Sequence, residues 1–202
     1  MPGRMERIGW AELGGYAIAL AGLMAIVSIV AAPGAPYVLS MAVMGLVLAP
    51  VMLGFYELGG RAPLGLARLA LTIGVGAVLL FAATMIALAV GLVTFDETRA
   101  AEGAFAITAI CMLTIGLWLA AATALAGKWL TPGRRWFGFV CGLGFGLAGI
   151  GLLLGGSQSS LTTVGGIGYQ LLFPIWGVLI GRRFGAIRSE DTASSVAASA
   201  AA

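Results

Sequence analysis

Six long apolar segments without an interior charge constrain this chain more than any other feature of its sequence. By number they cover 13–32, 37–56, 66–93, 104–126, 136–156 and 161–181. About 20 apolar residues suffice to cross the hydrocarbon core of a bilayer as a helix, which satisfies its own backbone hydrogen bonds. Of the 202 residues 9% are charged, against roughly 25% in soluble domains. The sequence therefore predicts an all-α, polytopic integral membrane protein with six transmembrane helices in one bundle.

We expect the bundle to form one domain over residues 1–188. The first apolar segment follows Arg4 and Arg7 and could be mistaken for a signal peptide. Its length of about 20 residues exceeds the ~7–15 of a signal peptide's apolar region, so we expect an uncleaved first helix. Residues 189–202, SEDTASSVAASAAA, have few bulky apolar side chains and are predicted to form a disordered cytoplasmic tail.

The positions of the positive charges indicate an orientation. If the amino terminus is cytoplasmic, 10 of the 11 Lys and Arg residues lie on that side, and Arg99 lies on the other beside Asp96, Glu97 and Glu102. Short loops rich in Lys and Arg remain in the cytoplasm. We therefore predict that both termini are cytoplasmic. The abundance of arginine, alanine and glycine fits a GC-rich bacterial genome, which makes the inner (plasma) membrane the expected location.

The chain lacks the residues that several kinds of chemistry require. Histidine is absent, which removes histidine-ligated metals, serine–histidine pairs and imidazole proton relays. No Asp, Glu, Lys or Arg lies deep inside a predicted span, where proton-coupled pumps and voltage sensors need one. The net charge of +3 comes from cations beside apolar segments and does not indicate nucleic-acid binding. We expect no enzyme activity, no metal and no cofactor.

The fifth apolar segment, Trp136–Gly156, is unusually rich in glycine, with eight glycines. Small residues let membrane helices approach closely and gain van der Waals contact. One face carries four of them at spacings of four, four and three: Gly138, Gly142, Gly146 and Gly149. A second face carries Gly144, Gly151 and Gly155. This pattern predicts a helix packed on two sides, either within its own chain or against another.

The sixth segment contains the best candidate for a binding site. Tyr169 and Gln170 lie about nine residues from its predicted outer boundary, ~14 Å deep. Pro174 lacks an N–H and frees the carbonyl of Gln170, so the helix is expected to bend or break at mid-membrane. Thr84 and Thr114 are predicted to reach a similar depth and to complete a neutral site. The alternative is that Gln170 serves helix packing and that the threonines bond to their own helices.

Two functions are compatible with these features. The first is a non-catalytic helix-packing or accessory subunit of a larger membrane assembly, whose partners would be other membrane subunits or a second copy of the chain. The second is a small permease or channel for a neutral or weakly polar solute, with its site at the Pro174 break. In both cases the lipid bilayer is the immediate surrounding of the chain.

Overall fold

The computed structural model describes residues 3–31, 34–59, 63–94 and 103–200, and within these ranges nearly every residue is helical. The six helices are α1 (Arg4–Ala31), α2 (Ala35–Leu58), α3 (Leu64–Ala89), α4 (Gly103–Ala124), α5 (Pro132–Gly155) and α6 (Ser160–Ala200). All six contain a stretch that is long and apolar enough to cross a membrane. The predicted all-helical architecture is confirmed, and the chain is a multi-pass membrane protein.

The helices form a closed ring, in which each helix packs against the next one along the chain and α6 returns to α1. Neighbouring helices are antiparallel, as the contacts between α1 and α6 illustrate. Gly15 lies against Gly181, and Gly22, two turns further along α1, lies against Pro174. The start of α1 and residues 181–188 of α6 therefore share one end of the bundle. We call this end, which carries Arg7 and Arg188, the basic end, and the opposite end the far end.

Ion pairs join α1 to both of its neighbours at the basic end. The Nε of Arg7 lies 2.8 Å from the Oε1 of Glu57 on α2. The Nη2 of Arg188 on α6 lies 2.9 Å from the Oε2 of Glu12. Both carboxylates are mostly buried, with side-chain exposures of 16% and 17%. The two pairs place an acidic residue of α1 and one of α2 against cations of neighbouring helices.

Hydrogen bonds also hold the connection between α4 and α5 at the basic end. The indole Nε1 of Trp129 donates to the carbonyl oxygen of Gly59 at 3.0 Å, just after α2. The Nε of Arg183 on α6 donates to the carbonyl oxygen of Trp129 at 2.6 Å. This short connection is thereby fixed to two other parts of the ring.

An aromatic cluster fills the interior of the bundle near the same end. The ring of Phe55 on α2 has four aromatic neighbours at centroid distances of 4.9 to 6.2 Å: Trp118, Trp129, Trp176 and Phe184. Phe184 and Trp176 are almost completely buried. Ring pairs of this kind add stability beyond the apolar area that they bury.

Two helix ends differ from the sequence-based prediction. Helix α3 ends at Ala89, before the predicted Val93, because Gly91 has a φ of 75° and turns the chain. Helix α6 continues to Ala200, whereas disorder was predicted from residue 189. Alanine has the highest helix propensity, and the hydroxyls of Ser189 and Thr192 bond to carbonyls four residues earlier in the helix. From Arg188 to Ser199 every side chain is exposed.

Candidate functional site

A half-open cavity of about 370 Å³ lies at the far end among helices α2 to α6. Its lining is mostly apolar and includes methionines from three helices, Met41, Met85 and Met112. Aromatic rings and small aliphatic side chains make up most of the remainder. The lining includes no Asp, Glu, Lys or Arg among the residues that the structure describes. The cavity is therefore a neutral environment.

A small group of polar side chains lies on the wall between α2 and α6. The amide Nε2 of Gln170 donates to the phenol oxygen of Tyr37 at 2.7 Å. The hydroxyl of the adjacent Tyr169 lies 3.8 Å from the sulfur of Met41 and donates to it. Tyr169 is buried, while Tyr37 and Gln170 are half-buried. Two of the residues predicted for a site, Tyr169 and Gln170, thus line one cavity together.

The helix ends around this cavity lie at different levels. Gln170 is ten residues beyond Ser160, about 15 Å along the axis of α6. Its hydrogen-bond partner Tyr37 is in the first turn of α2, which begins at Ala35. The amino-terminal end of α2 therefore lies close to the level of Gln170. Helix α6 extends well beyond that level toward the far end. Gln170 is deep when measured along α6 but close to the bundle surface when measured along α2.

Buried rings fill the interior from the floor of the cavity toward the basic end. The ring of Tyr169 lies 4.7 Å from that of Phe145, which stacks on Phe173 at 6.0 Å. Phe173 in turn stacks on Trp176 at 5.5 Å, and Trp176 contacts the aromatic cluster around Phe55. These rings are at most 3% exposed, apart from Phe55 at 6%. The cavity ends at this column of rings.

The other predicted site residues lie elsewhere. The hydroxyl of Thr84 donates to the carbonyl of Leu80 at 2.9 Å, and that of Thr114 to Ile110 at 2.8 Å, each within its own helix. Neither threonine lines the cavity. The prediction that these two threonines share a site with Gln170 therefore has no support in the geometry, because each is rotated away from the cavity.

Pro174 also lies outside the cavity, and the predicted helix break is absent. Helix α6 is continuous through Pro174. The proline ring faces α1, where a Cβ built at Gly22 would lie 2.6 Å from the Cγ of Pro174. Because Gly22 has no side chain, α1 packs directly against the ring and supports α6 at the position where a proline would otherwise weaken it.

Sequence reasoning missed Tyr37, Thr108 and Thr162, which line the cavity. A signal for two of them exists. Tyr37 precedes Met41 by four residues and Thr108 precedes Met112 by four, so each pair shares one helix face. A polar group that recurs beside a methionine on one face of a membrane helix indicates a surface turned toward other helices, since lipid offers it no partner.

The predicted glycine faces of α5 lie against other helices of the same chain. On the first face each glycine has a close neighbour on α4: Gly138 at Thr123, Gly142 at Ala120, Gly146 at Leu113 and Gly149 at Ala109. The second face meets α6, where a Cβ built at Gly165 would lie 2.7 Å from the carbonyl oxygen of Gly144. Both faces thus contact other helices of the same chain, and Gly155 at the end of the second face is exposed.

No family model matches the chain, and no curated protein and no solved structure is similar enough to count as a match. Within the described ranges there is also no group of three or more His, Cys, Asp or Glu residues that could hold a metal ion. The function is therefore argued from the cavity at the far end and from its neutral hydrogen-bonding groups.

Proposed function

We propose that this protein is a permease that binds a small neutral, weakly polar solute in the cavity lined by Tyr37, Tyr169 and Gln170. The observation that carries the proposal is the 2.7 Å hydrogen bond between Gln170 and Tyr37 on the wall of a mostly apolar, uncharged cavity of about 370 Å³. Small-molecule sites typically combine a mostly apolar lining with a few convergent polar groups.

The lining favours one class of solute. The phenol and amide groups can donate and accept hydrogen bonds without a net charge. Methionine thioethers and aromatic rings offer polarizable contacts to an apolar body. An ion would lose its hydration without finding a counter-charge in the described lining, which is costly. The expected solute is therefore neutral, with one or two hydrogen-bonding groups on a small carbon skeleton, such as a diol or an amide.

The column of rings below the cavity would be the closed side of such a permease. Tyr169 and Phe173 on α6 pack against Phe145 on α5. Passage toward the basic end would require these rings to separate, which a movement of α6 relative to α5 would achieve. The conformation described here would then be the state that is open toward the far end.

The accessory-subunit hypothesis has less support in the geometry than the permease. It rested on the absent chemistry, the short loops and the glycine-faced helices, and of these the glycines Gly142 and Gly144 lie close to α4 and α6 of the same chain. What remains are the exposed apolar side chains of the bundle, such as Leu69 and Ile73 on α3, and lipid covers such side chains equally well. We therefore favour the permease.

We further propose that the basic end faces the cytoplasm of a bacterium. In the described part of the chain every charged residue lies toward that end of the bundle, including Arg7, Arg188 and Lys128. The proposal is tested in intact cells with single-cysteine variants that lack Cys111 and Cys141. A cysteine at Ser159 should react with an impermeant maleimide and one at Ser189 should not. The reverse labelling pattern would overturn the orientation.

Proteoliposomes test the proposed transport. Stopped-flow light scattering would measure the entry of glycerol, 1,2-propanediol, urea and acetamide after an osmotic step. We expect at least one of these solutes to enter faster than in protein-free liposomes. Gln170→Leu removes the amide and keeps the approximate size of the side chain, and it should return that rate toward the protein-free value.

The matched control is Gln158→Leu. Gln158 is an exposed glutamine in the turn between α5 and α6, outside the cavity. This variant should transport like the unmodified protein. Entry rates equal to those of protein-free liposomes for all the solutes would contradict the permease, and an equal loss in both variants would contradict the site.

A further inference from the structure

A second cavity of about 280 Å³ lies on the flank of the bundle near the basic end, between α2, α3 and α4. Helices α3 and α4 meet where Gly74 faces Trp118, since a Cβ built at Gly74 would lie 2.7 Å from the Cδ1 of that indole. Closer to the basic end both helices present alanines, such as Ala67 and Ala122. These short side chains leave an apolar groove between the two helices.

The walls of this groove are built for an apolar occupant. Leu66 and Leu71 line it from α3, Trp118 lines it from α4, and Leu125 lines it just after the end of α4. Phe55, which is almost completely buried, closes it on the inner side. A hydrocarbon chain in this groove would cover apolar surface that the neighbouring helices leave open.

A cation lies at the edge of the groove. The Nε of Arg68 donates to the phenol oxygen of Tyr56 at 3.0 Å, and Tyr56 is itself part of the lining. Arg68 is exposed, and its Nη groups make no hydrogen bond to any residue in the described ranges. The tyrosine thus holds the guanidinium beside the groove and leaves its remaining N–H groups available to a ligand.

A second cation lies on the adjacent connection. The indole of Trp129 donates to the carbonyl of Gly59, which also lines the groove. Lys128, which immediately precedes Trp129, is exposed. The groove therefore combines apolar walls with positive charge at its basic-end edge, and an amphipathic anion complements both.

We propose that this groove is a specific site for one anionic phospholipid, with an acyl chain between α3 and α4 and the phosphate on Arg68. A guanidinium binds phosphate oxygens through charge-assisted hydrogen bonds in a fixed geometry. A negatively charged headgroup is favoured over a zwitterionic one because Arg68 and Lys128 contribute two positive charges and the described lining contributes no negative one. This site is separate from the solute cavity at the far end and does not depend on the proposed transport.

Native mass spectrometry of the purified full-length protein tests the proposal. Phosphatidylglycerol and phosphatidylcholine with identical acyl chains are added separately, and the bound lipids per chain are counted. We expect one phosphatidylglycerol to bind more tightly than the second, and more tightly than phosphatidylcholine by about fivefold or more, since one cation near an anionic headgroup contributes roughly that factor. Equal retention of the two lipids would overturn the proposal without any variant being made.

Two variants assign the site. Arg68→Gln should lower the affinity for phosphatidylglycerol by about fivefold and that for phosphatidylcholine by less, because the choline group offsets the charge of its phosphate. Arg182→Gln removes an exposed cation at the same end, away from the groove, and is the matched control that should change neither. An equal effect of the two variants would show a diffuse attraction to positive charge and contradict the site. The melting temperature of each variant identifies a folding defect.

The groove and the headgroup are tested separately. Ala67→Phe fills the groove and should abolish the tightly bound phosphatidylglycerol although Arg68 is still present. Inorganic phosphate at millimolar concentration should not displace the lipid from the unmodified protein, because a free phosphate has no chain to fill the groove. Displacement by phosphate, or full retention of the lipid by Ala67→Phe, would contradict a site that holds the whole lipid.

Discussion

The two ends of the bundle are held together by different kinds of contact. At the basic end an ion pair between Glu12 and Arg188 joins α1 to α6, and an aromatic cluster fills the interior. At the far end a neutral hydrogen bond from Gln170 to Tyr37 joins α6 to α2, and a cavity of about 370 Å³ lies between the helices. One end is densely packed and charged, and the other is open and neutral.

Along the axis of the bundle, the contacts that stabilise the fold therefore concentrate at the basic end, and the cavity that could bind a ligand lies at the far end. Charged residues are tolerated near the ends of membrane helices, where they reach the headgroup region, and there they can pair across helices. The far end has no such charges among its described residues and depends on packing and neutral hydrogen bonds. Because its packing is incomplete, it can admit a ligand. We therefore expect substitutions at the filled end to affect folding most.

The largest expected effect comes from the aromatic column. Trp176 is 1% exposed, and its ring lies 5.5 Å from Phe173 and 6.2 Å from Phe55. Trp176→Ala should lower the free energy of unfolding by about 3–5 kcal/mol, since it removes a buried ring and leaves a cavity. Thermal denaturation in detergent measures the effect. Leu171→Ala, on the same helix but with its side chain 54% exposed, should leave the melting temperature almost unchanged. Equal shifts would contradict a filled interior.

The next effect comes from the α4–α5 interface, which runs between the two ends. A Cβ built at Gly142 would lie 2.5 Å from the backbone nitrogen of Ala120, whereas one at Gly146 would be 3.8 Å from the flexible end of Leu113. Gly142→Ala should therefore lower the free energy of unfolding by about 1–3 kcal/mol through overpacking. Gly146→Ala should be nearly neutral. The opposite ranking of the two melting temperatures would contradict this interface.

A smaller effect distinguishes the ion pair at the basic end from the neutral hydrogen bond at the far end. Arg188→Gln should lower the free energy of unfolding by less than about 1 kcal/mol, because its side chain is 49% exposed, and the loss should shrink as salt is added. Tyr37→Phe should cost about 0.5–1.5 kcal/mol through the lost hydrogen bond to Gln170, with no dependence on salt. Melting curves at low and high sodium chloride compare the two. A salt-dependent loss in Tyr37→Phe would contradict the comparison.

The positions of the membrane helices were predictable from apolar length and the absence of charge. Helix α4 covers Gly103–Ala124, against a predicted 104–126. The helices extend beyond their apolar segments, since α1 begins at Arg4 and α6 continues past Arg188. Hydropathy reports which residues prefer a bilayer, and helix formation continues in water where alanine and local hydrogen bonds support it.

The candidate site was only partly predictable. Tyr169 and Gln170 were identified because polar side chains are rare inside apolar helices. Thr84 and Thr114 were included by depth alone, which gives the level along a helix but not the face. Tyr37 was missed because it lies at the start of the second apolar segment, a position that indicates the surface of the bundle. How far neighbouring helices extend around Gln170 depends on the antiparallel pairing of the whole ring, which no single segment encodes.

The smallest effect is expected when the exposed extension of α6 is removed. This change tests whether the stabilising contacts of the basic end reach beyond Arg188. Residues 192–199 are exposed on every side, and their hydroxyls bond within the helix, as Ser194 does to the carbonyl of Glu190 at 2.9 Å. A chain that ends at Asp191 keeps the Glu12–Arg188 ion pair and the contact of Arg183 with Glu190. Its melting temperature should equal that of the full chain, while its helical circular dichroism should fall in proportion to the residues removed. A lower melting temperature would mean that the tail contacts the bundle and that the basic end extends beyond Arg188.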